Sequence, residues 1–305
     1  MDAVNEIVQP VRQRPAVSLW RTAVVLFKLR IVSLLLLSAF GGAGLGTLIA
    51  GRASAWDWVL LAITGTLSAA GASGINQYLE RDRDSKMNRT AARPLATGQI
   101  ENPHIVFFIG VSMVLGATGL AAAFNLALAF WVFLGAVIYV GVYTVWLKPR
   151  TTLNIVIGGA AGSCAVISGG AAVGAWSALG VWILAALVFV WTPVHFWALA
   201  LAYRSDYIKA DYPMLPARVP PIVAARWTAF HTVLTAVAGI ALGFWPAIDW
   251  FYLVPIGLAT AVLIVRTIAL LLSPAEKAPA FALFHFSNLY LALVLVVVLL
   301  ASLWR

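Results

Sequence analysis

The sequence predicts an all-α integral membrane protein with nine transmembrane helices. Of its 305 residues, 62% are hydrophobic and only 10% are charged, a composition outside the range of soluble globular domains. The apolar residues fall into runs of roughly twenty, the length that crosses a hydrocarbon layer at about 1.5 Å per residue. The runs are continuous rather than alternating. Helices, not a closed barrel, therefore satisfy the backbone in lipid.

The expected spans are 31–50, 57–79, 104–124, 127–147, 153–173, 177–200, 228–246, 251–272 and 282–303. A polar segment, 1–26, precedes them, and 27–305 reads as one membrane domain. The first ~17 residues hold no apolar stretch followed by a small-residue cleavage site, so no removable signal is expected. In the first and fifth spans, Gly41–Gly46 (GGAGLG) and Gly158–Cys164 (GGAAGSC) are rich in small residues. They follow no strand, so a nucleotide-binding loop is rejected; small residues let helices approach closely. Cys164, the single cysteine, lies in one of these runs and reads as a small core residue.

The net charge of +9 is first a topology signal, not a nucleic-acid signal, and no nucleic acid is expected as a partner. With nine spans, all of the 20 Lys and Arg except Arg52 and Arg305 fall on one side. Among the 11 acids only Asp57 and Asp249 fall on the other. Positive charge marks the cytoplasmic face, so the N-terminus is expected in the cytoplasm and the C-terminus outside. The two long polar connections, 80–103 and 201–227, share the cytoplasmic face, and such loops on a rigid scaffold commonly carry chemistry.

The first connection begins "GINQYLERDRDSKMNRTAARPL", Gly74 to Leu95. If the second helix runs past Leu79, then Asn76, Glu80 and Asp84 lie four apart on one face, while Asp82 points elsewhere. An incomplete cage of carboxylate oxygens suits Mg2+, which fills its remaining positions with phosphate oxygens and water. The competing reading is a solvated helix end laced with ion pairs. The second connection, "YRSDYIKADYPMLP", Tyr203 to Pro216, offers Asp206, Lys209 and Asp211 at another span end. Acids from two span ends can converge over one cavity around a divalent ion. Basic side chains on the same face, Arg30, Arg89, Arg93 and Lys148, are candidates to pair with diphosphate oxygens. His195 stands apart inside "WTPVHFWAL". An ionisable group within a span points to function, such as carrying a proton.

The motifs "NQYLERDRDSKMNRTAARPL", "YTVWLKPRTTLNIVIGGAAG", "WTPVHFWALAL" and "DYIKADYPMLP" occur in this order. With "FKLRIVSLLLLSAFGG" ahead of them, the stretch from Phe27 to Pro216 resembles the protohaem IX farnesyltransferase family, a branch of the UbiA-type intramembrane prenyltransferases. The resemblance implies a UbiA-type helical bundle and a Mg2+-dependent transfer of farnesyl from farnesyl diphosphate to a vinyl group of haem b. Water adds in the same reaction, giving haem O and diphosphate. Carried onto this chain, the Asn-x3-Asp-x3-Asp motif falls on Asn76, Glu80 and Asp84, with Glu where the superfamily has Asp. The second acidic motif falls on Asp206, followed by Ala210 and Asp211 where the wider superfamily often has two acids four apart.

The resemblance thus implies Asn76, Glu80, Asp84, Asp206 and Lys148 as the catalytic set, with the first four and Asp211 as metal ligands. Arg30, Arg89, Arg93, Tyr143, Lys148, Arg204 and Lys209 are expected around the diphosphate, and His195 against haem. It further implies a bacterial inner-membrane enzyme with its site on the cytoplasmic side, in contact with the lipid bilayer. A downstream haem-modifying enzyme or oxidase is an implied partner. Two alternatives remain open at this point: a UbiA-type enzyme acting on an aromatic quinone precursor, and a membrane transporter or channel.

Overall fold

The computed structural model describes residues 18–51, 53–245 and 250–304; Arg12, Arg14, Arg52, Asp249 and Arg305, and most of the expected 1–26 segment, lie outside them. The described residues are helices joined by turns, with no strand among them. In chain order the helices are α1 (Leu19–Leu26), α2 (Leu29–Ala50), α3 (Ala55–Asp84), α4 (Pro103–Ala122) and α5 (Leu126–Leu147). There follow α6 (Asn154–Gly158), α7 (Ala160–Ala172), α8 (Leu179–Ala202), α9 (Arg204–Lys209) and α10 (Leu215–Arg218). The last are α11 (Pro221–Gly243), α12 (Trp250–Leu272) and α13 (Lys277–Trp304). Among the described residues, nine stretches are long and apolar enough to cross a membrane, α6 and α7 together making the fifth. They match the nine expected spans, with shifts at the edges. The seventh begins earlier, at Pro221, where a proline costs nothing because the first helical N–H has no partner. The fifth is interrupted at Gly159.

Two departures from the expected elements bear on function. Helix α3 does not stop at Leu79 but continues to Asp84. At 30 residues it is ~45 Å long, more than the hydrocarbon requires, so its last turns emerge with their charges. Its start is fixed by a capping box, in which Ser54 Oγ accepts from the Asp57 N–H and Asp57 Oδ2 from the Ser54 N–H. Helix α5 is α-helical over Leu126–Val137 and π-helical over Ile138–Leu147. Such stretches are rare and tend to occur at functional sites.

The largest core lies where α8 packs against α11, α12 and α13, around Leu184, Leu187, Val194, Tyr252 and Tyr290. Tyr252 places its hydroxyl on the Gly239 carbonyl at 2.9 Å. Large side chains such as Phe130, Val237 and Leu258 are exposed, as a surface facing lipid tails requires. Helices α2 and α7 meet backbone to backbone: a Cβ at Gly169 would lie 1.8 Å from the Ala39 carbonyl oxygen, and one at Gly42 would lie 1.9 Å from that of Val166. The small-residue runs are packing surfaces, and Cys164 is buried on α7, its Cβ facing Gly135 of α5.

Gly169→Ala should force α2 and α7 apart, since the obstacle is backbone and cannot swing aside. We expect about 1–3 kcal/mol of destabilisation, read as a lower unfolding temperature of the detergent-solubilised protein. Gly116→Ala on α4, whose Cβ would meet nothing within 4 Å, should leave that temperature unchanged or raise it slightly.

Candidate active site

Because α3 stays helical to its end, Asn76, Glu80 and Asp84 do share one face, and all three are buried, at 1%, 6% and 3% exposure. Asp82 points away, with its side chain 85% exposed beside Arg81. Each member of the row is held by a different segment. Lys28 donates from Nζ to Asn76 Oδ1 at 2.5 Å, and Asn76 Nδ2 donates to Thr144 Oγ1 at 3.0 Å. Lys148 Nζ meets Glu80 Oε1 at 2.5 Å, and Arg93 Nη1 meets Asp84 Oδ2 at 2.6 Å. A charge removed from water requires a partner of opposite sign; Lys148, just past α5, supplies one for Glu80 and Arg93, in the 85–102 segment, one for Asp84, while Lys28 reaches the neutral Asn76 from the residue ahead of α2.

The π-helical half of α5 makes two of these contacts possible. Tyr139 and Lys148 are nine residues apart. At about 3.6 residues per turn that is two and a half turns, which would put them on opposite sides of the helix. At roughly 4.4 residues per turn it is two turns, and they share a face. The hydrogen bonds follow the wider register: Thr144 Oγ1 donates to the Tyr139 carbonyl, and the Lys148 N–H donates to the Tyr143 carbonyl, both five residues back. Tyr139, Tyr143, Thr144 and Lys148 thus line up along α3. The rings of Tyr139 and Tyr143 stack 6.0 Å apart, and Lys148 Nζ lies 5.5 Å from the Tyr143 ring centre.

Lys28 arrives by a backbone corner. It takes a left-handed conformation, φ 49°, between α1 and α2, which is costly for a residue with a Cβ. Gln77, next to Asn76, holds this corner by donating to the carbonyls of Val25 and Leu26 at 2.6 and 2.8 Å. Lys28 Nζ reaches Tyr139 as well, 3.0 Å from its hydroxyl. Burial, reinforced by repulsion from Arg93, lowers the Lys28 pKa to about 7. Burial also works against the charged form of Lys148, but Glu80, helped by Tyr143 and Tyr212, outweighs it and raises this pKa well above the ordinary value.

The second acidic segment folds against the first. Asp206, 2% exposed on α9, accepts from Asn88 Nδ2 and from the Arg89 backbone N–H, both at 3.1 Å. Asp206 therefore fastens the connection after α3. The guanidinium of Arg89 lies beside Tyr207 and Tyr203.

Other expected positions lie elsewhere. Asp211, with φ 52°, turns outward, its side chain 85% exposed and 2.6 Å from Arg218; a left-handed turn aims it away from the buried row. Arg204 donates to the carbonyls of Pro216 and Val219 and so anchors α10. Arg30 and Lys209 are exposed at helix ends. His195 is half-buried on α8, stacked against Trp191 and Phe284, with Nδ1 3.2 Å from Ser287 Oγ. Lys28, Asn88, Tyr139, Thr144 and Tyr212 are members of the cluster that sequence reasoning missed. Lys28 had been read only as a charge marking topology.

Among the described residues, no three His, Cys, Asp or Glu side chains gather closely enough to hold a metal by themselves. The donors present, carboxylates with one amide, are hard oxygens spread along two helices. Such a partial set fits Mg2+, an ion that completes its shell with phosphate oxygens and water.

Buried acids thus interlock with basic side chains where long apolar helices end. Residues 34–290 match the UbiA prenyltransferase family. The chain is 40% identical over 276 residues to the protoheme IX farnesyltransferase of Saccharolobus islandicus (strain L.S.2.15 / Lassen #1), covering 90% of this chain and 95% of that one. It is 35% identical over 278 residues to the enzyme of that name from Metallosphaera sedula, covering 91% and 95%. The fold is that of a digeranylgeranylglyceryl phosphate synthase, with a TM-score of 0.74 at 16% identity over 94% of this chain and 99% of the other. It is also that of a UbiA homologue from Archaeoglobus fulgidus bound to DMAPP and Mg2+, with a TM-score of 0.63 at 17% identity over 91% and 99%. The chain belongs to the UbiA prenyltransferase family and is an intramembrane prenyltransferase.

Breaking the Glu80–Lys148 pair from one side should cost more than removing it whole. Lys148→Met or Glu80→Gln alone leaves an uncompensated buried group, with about 3–5 kcal/mol lost. The double variant should lose less than either, as a double-mutant cycle of thermal unfolding would reveal.

Proposed function

We propose that this chain transfers the farnesyl group of farnesyl diphosphate to a vinyl group of haem b, with addition of water, yielding haem O and diphosphate. The observation that carries this reading is the buried row Asn76–Glu80–Asp84 with Lys28, Lys148 and Arg93 against it, in a chain that aligns nearly end to end with farnesyltransferases of haem. In the reaction the C–O bond to diphosphate breaks and a C–C bond forms to the vinyl carbon. Water then supplies the hydroxyl and a proton is released.

Asn76, Glu80, Asp84 and Asp206 are the residues that would hold Mg2+. When bound, Mg2+ supplies positive charge that stabilises the departing diphosphate. Lys28, Lys148 and Arg93 aim their N–H groups into the cluster already, so phosphoryl oxygens there meet donors in place. The acids keep these cations in the membrane before substrate arrives. The apolar bundle beyond Tyr139 excludes water from an allylic cation that water would quench. His195, held by Ser287 and two aromatic rings, is the candidate contact to haem. The one-sided distribution of Lys and Arg supports a cytoplasmic site, with an inward N-terminus and an outward C-terminus; the membrane proposed is a bacterial inner membrane. A haem-modifying enzyme or oxidase would take the product.

Purified protein given haem b, farnesyl diphosphate and Mg2+ should form haem O, detected by mass. Asp84→Ala should abolish product, Glu80→Asp should retain activity, and Glu80→Gln should lose most of it. Prenylation of an aromatic acid with none of haem would replace the acceptor. Wild-type protein inactive on both would sink the reading.

A further inference from the structure

Tyr212 has no part in the mechanism above, yet it sits within it. It follows Asp211 in the turn after α9, its N–H donating to the Tyr207 carbonyl and its own carbonyl accepting from Met214. These bonds fix the ring between two cations. Lys148 Nζ lies 4.6 Å and the Arg83 guanidinium 4.9 Å from the ring centre. The ring's quadrupole holds both in a water-poor setting.

Tyr212 is buried, and its hydroxyl has no hydrogen-bond partner among the described residues. A buried hydroxyl without a partner is unfavourable, and close packing normally avoids it. The same residue lines a cleft of about 340 Å3. Glu80, Asp82, Arg83, Thr144 and Tyr212 form the polar lining, and Leu79, Val145 and Pro149 the apolar lining. Leu79 and Val145 are also exposed on the lipid-facing surface. The cleft therefore joins donors, the Arg83 guanidinium and the Thr144 and Tyr212 hydroxyls, to an apolar rim, with Lys148 behind it on Glu80 and on the Tyr212 ring. Beside Lys148 and Arg83, the group that best satisfies a hydroxyl donor is an anionic oxygen.

We propose that Tyr212 is a substrate-binding residue of the diphosphate site, its hydroxyl donating to a phosphoryl oxygen while its ring sets the positions of Lys148 and Arg83. This rests on the reading of the polar cluster as a diphosphate site.

The test uses the full chain in detergent with Mg2+, titrated with inorganic pyrophosphate by calorimetry. Tyr212→Phe keeps the ring and removes only the hydroxyl. It should weaken pyrophosphate binding by roughly 10-fold, the scale of one hydrogen bond to a charged group, without lowering the unfolding temperature. With farnesyl diphosphate the change should appear mainly in KM. Tyr212→Leu should weaken binding further, since Lys148 and Arg83 lose their ring. Wild-type affinity in Tyr212→Phe, or a fall in unfolding temperature with affinity unchanged, overturns the inference while leaving the diphosphate site standing. No pyrophosphate binding by the wild type would overturn both. Haem takes no part in the titration, so the outcome is independent of the acceptor.

Discussion

A carboxylate inside a lipid-embedded bundle is tolerable only with a counter-charge at hand, and the contact between Glu80 and Lys148 meets that demand. Much of the polar half of the molecule follows from it. Helix α3 must outrun the hydrocarbon to bring Glu80 and Asp84 to the boundary, and α5 must widen its winding to present Lys148 there. The segment after α3 must fold back so that Arg93 meets Asp84. Lys28 must leave regular helix so that its amine can join the group. The first three are held because the buried acids would otherwise stand unpaired; the Lys28 corner is held by Gln77 and by the amine's bonds to Asn76 and Tyr139.

The bundle divides its labour accordingly. Helices α8, α11, α12 and α13 form a dense apolar block, with most of their polar atoms spent on bonds within the helices. Helices α2 and α7 are locked by direct backbone contact at Gly42 and Gly169. Against this rigid background the ends of α3 and α5, with α9 and the turn at Tyr212, hold the chemistry. Rigidity matters because donors aimed at a charge that develops during reaction help only if they need not reorganise.

The fold was legible to a high degree. Nine apolar runs and a one-sided distribution of basic residues suffice for the spans, since lipid leaves few choices. The row on α3 was legible as well, because helical spacing places Asn76, Glu80 and Asp84 together whatever surrounds them. What sequence spacing hid was set by departures from regular helix. Lys28 looked like a charge at a span end until its left-handed corner turned it inward. Asp211 looked equivalent to Asp206 until a left-handed residue sent it outward. Tyr139 and Thr144 come onto the α3 side only through the wider winding after Ile138. Arg204 resembled a phosphate ligand, but two carbonyls at the start of α10 and just beyond its end claim it. Irregular backbone writes no periodic signal, and here it sits where the chemistry is.

Helix α5 consequently obeys two phases. In its first half the exposed residues Phe130, Phe133 and Val137 recur at intervals of three and four, a stripe fit for lipid. In its second half Tyr139, Thr144 and Lys148 recur at five and four, facing protein. A helix with one pitch would have to choose between greasing its outer stripe and arming its inner one. The change of winding at Ile138 decouples the two, so substitutions that adapt the outer stripe to a different bilayer leave the inner residues in register. Gain or loss of one residue between Tyr139 and Lys148 would do the reverse, leaving a helix still long enough to span while disarming it. In this segment length is under tighter constraint than composition.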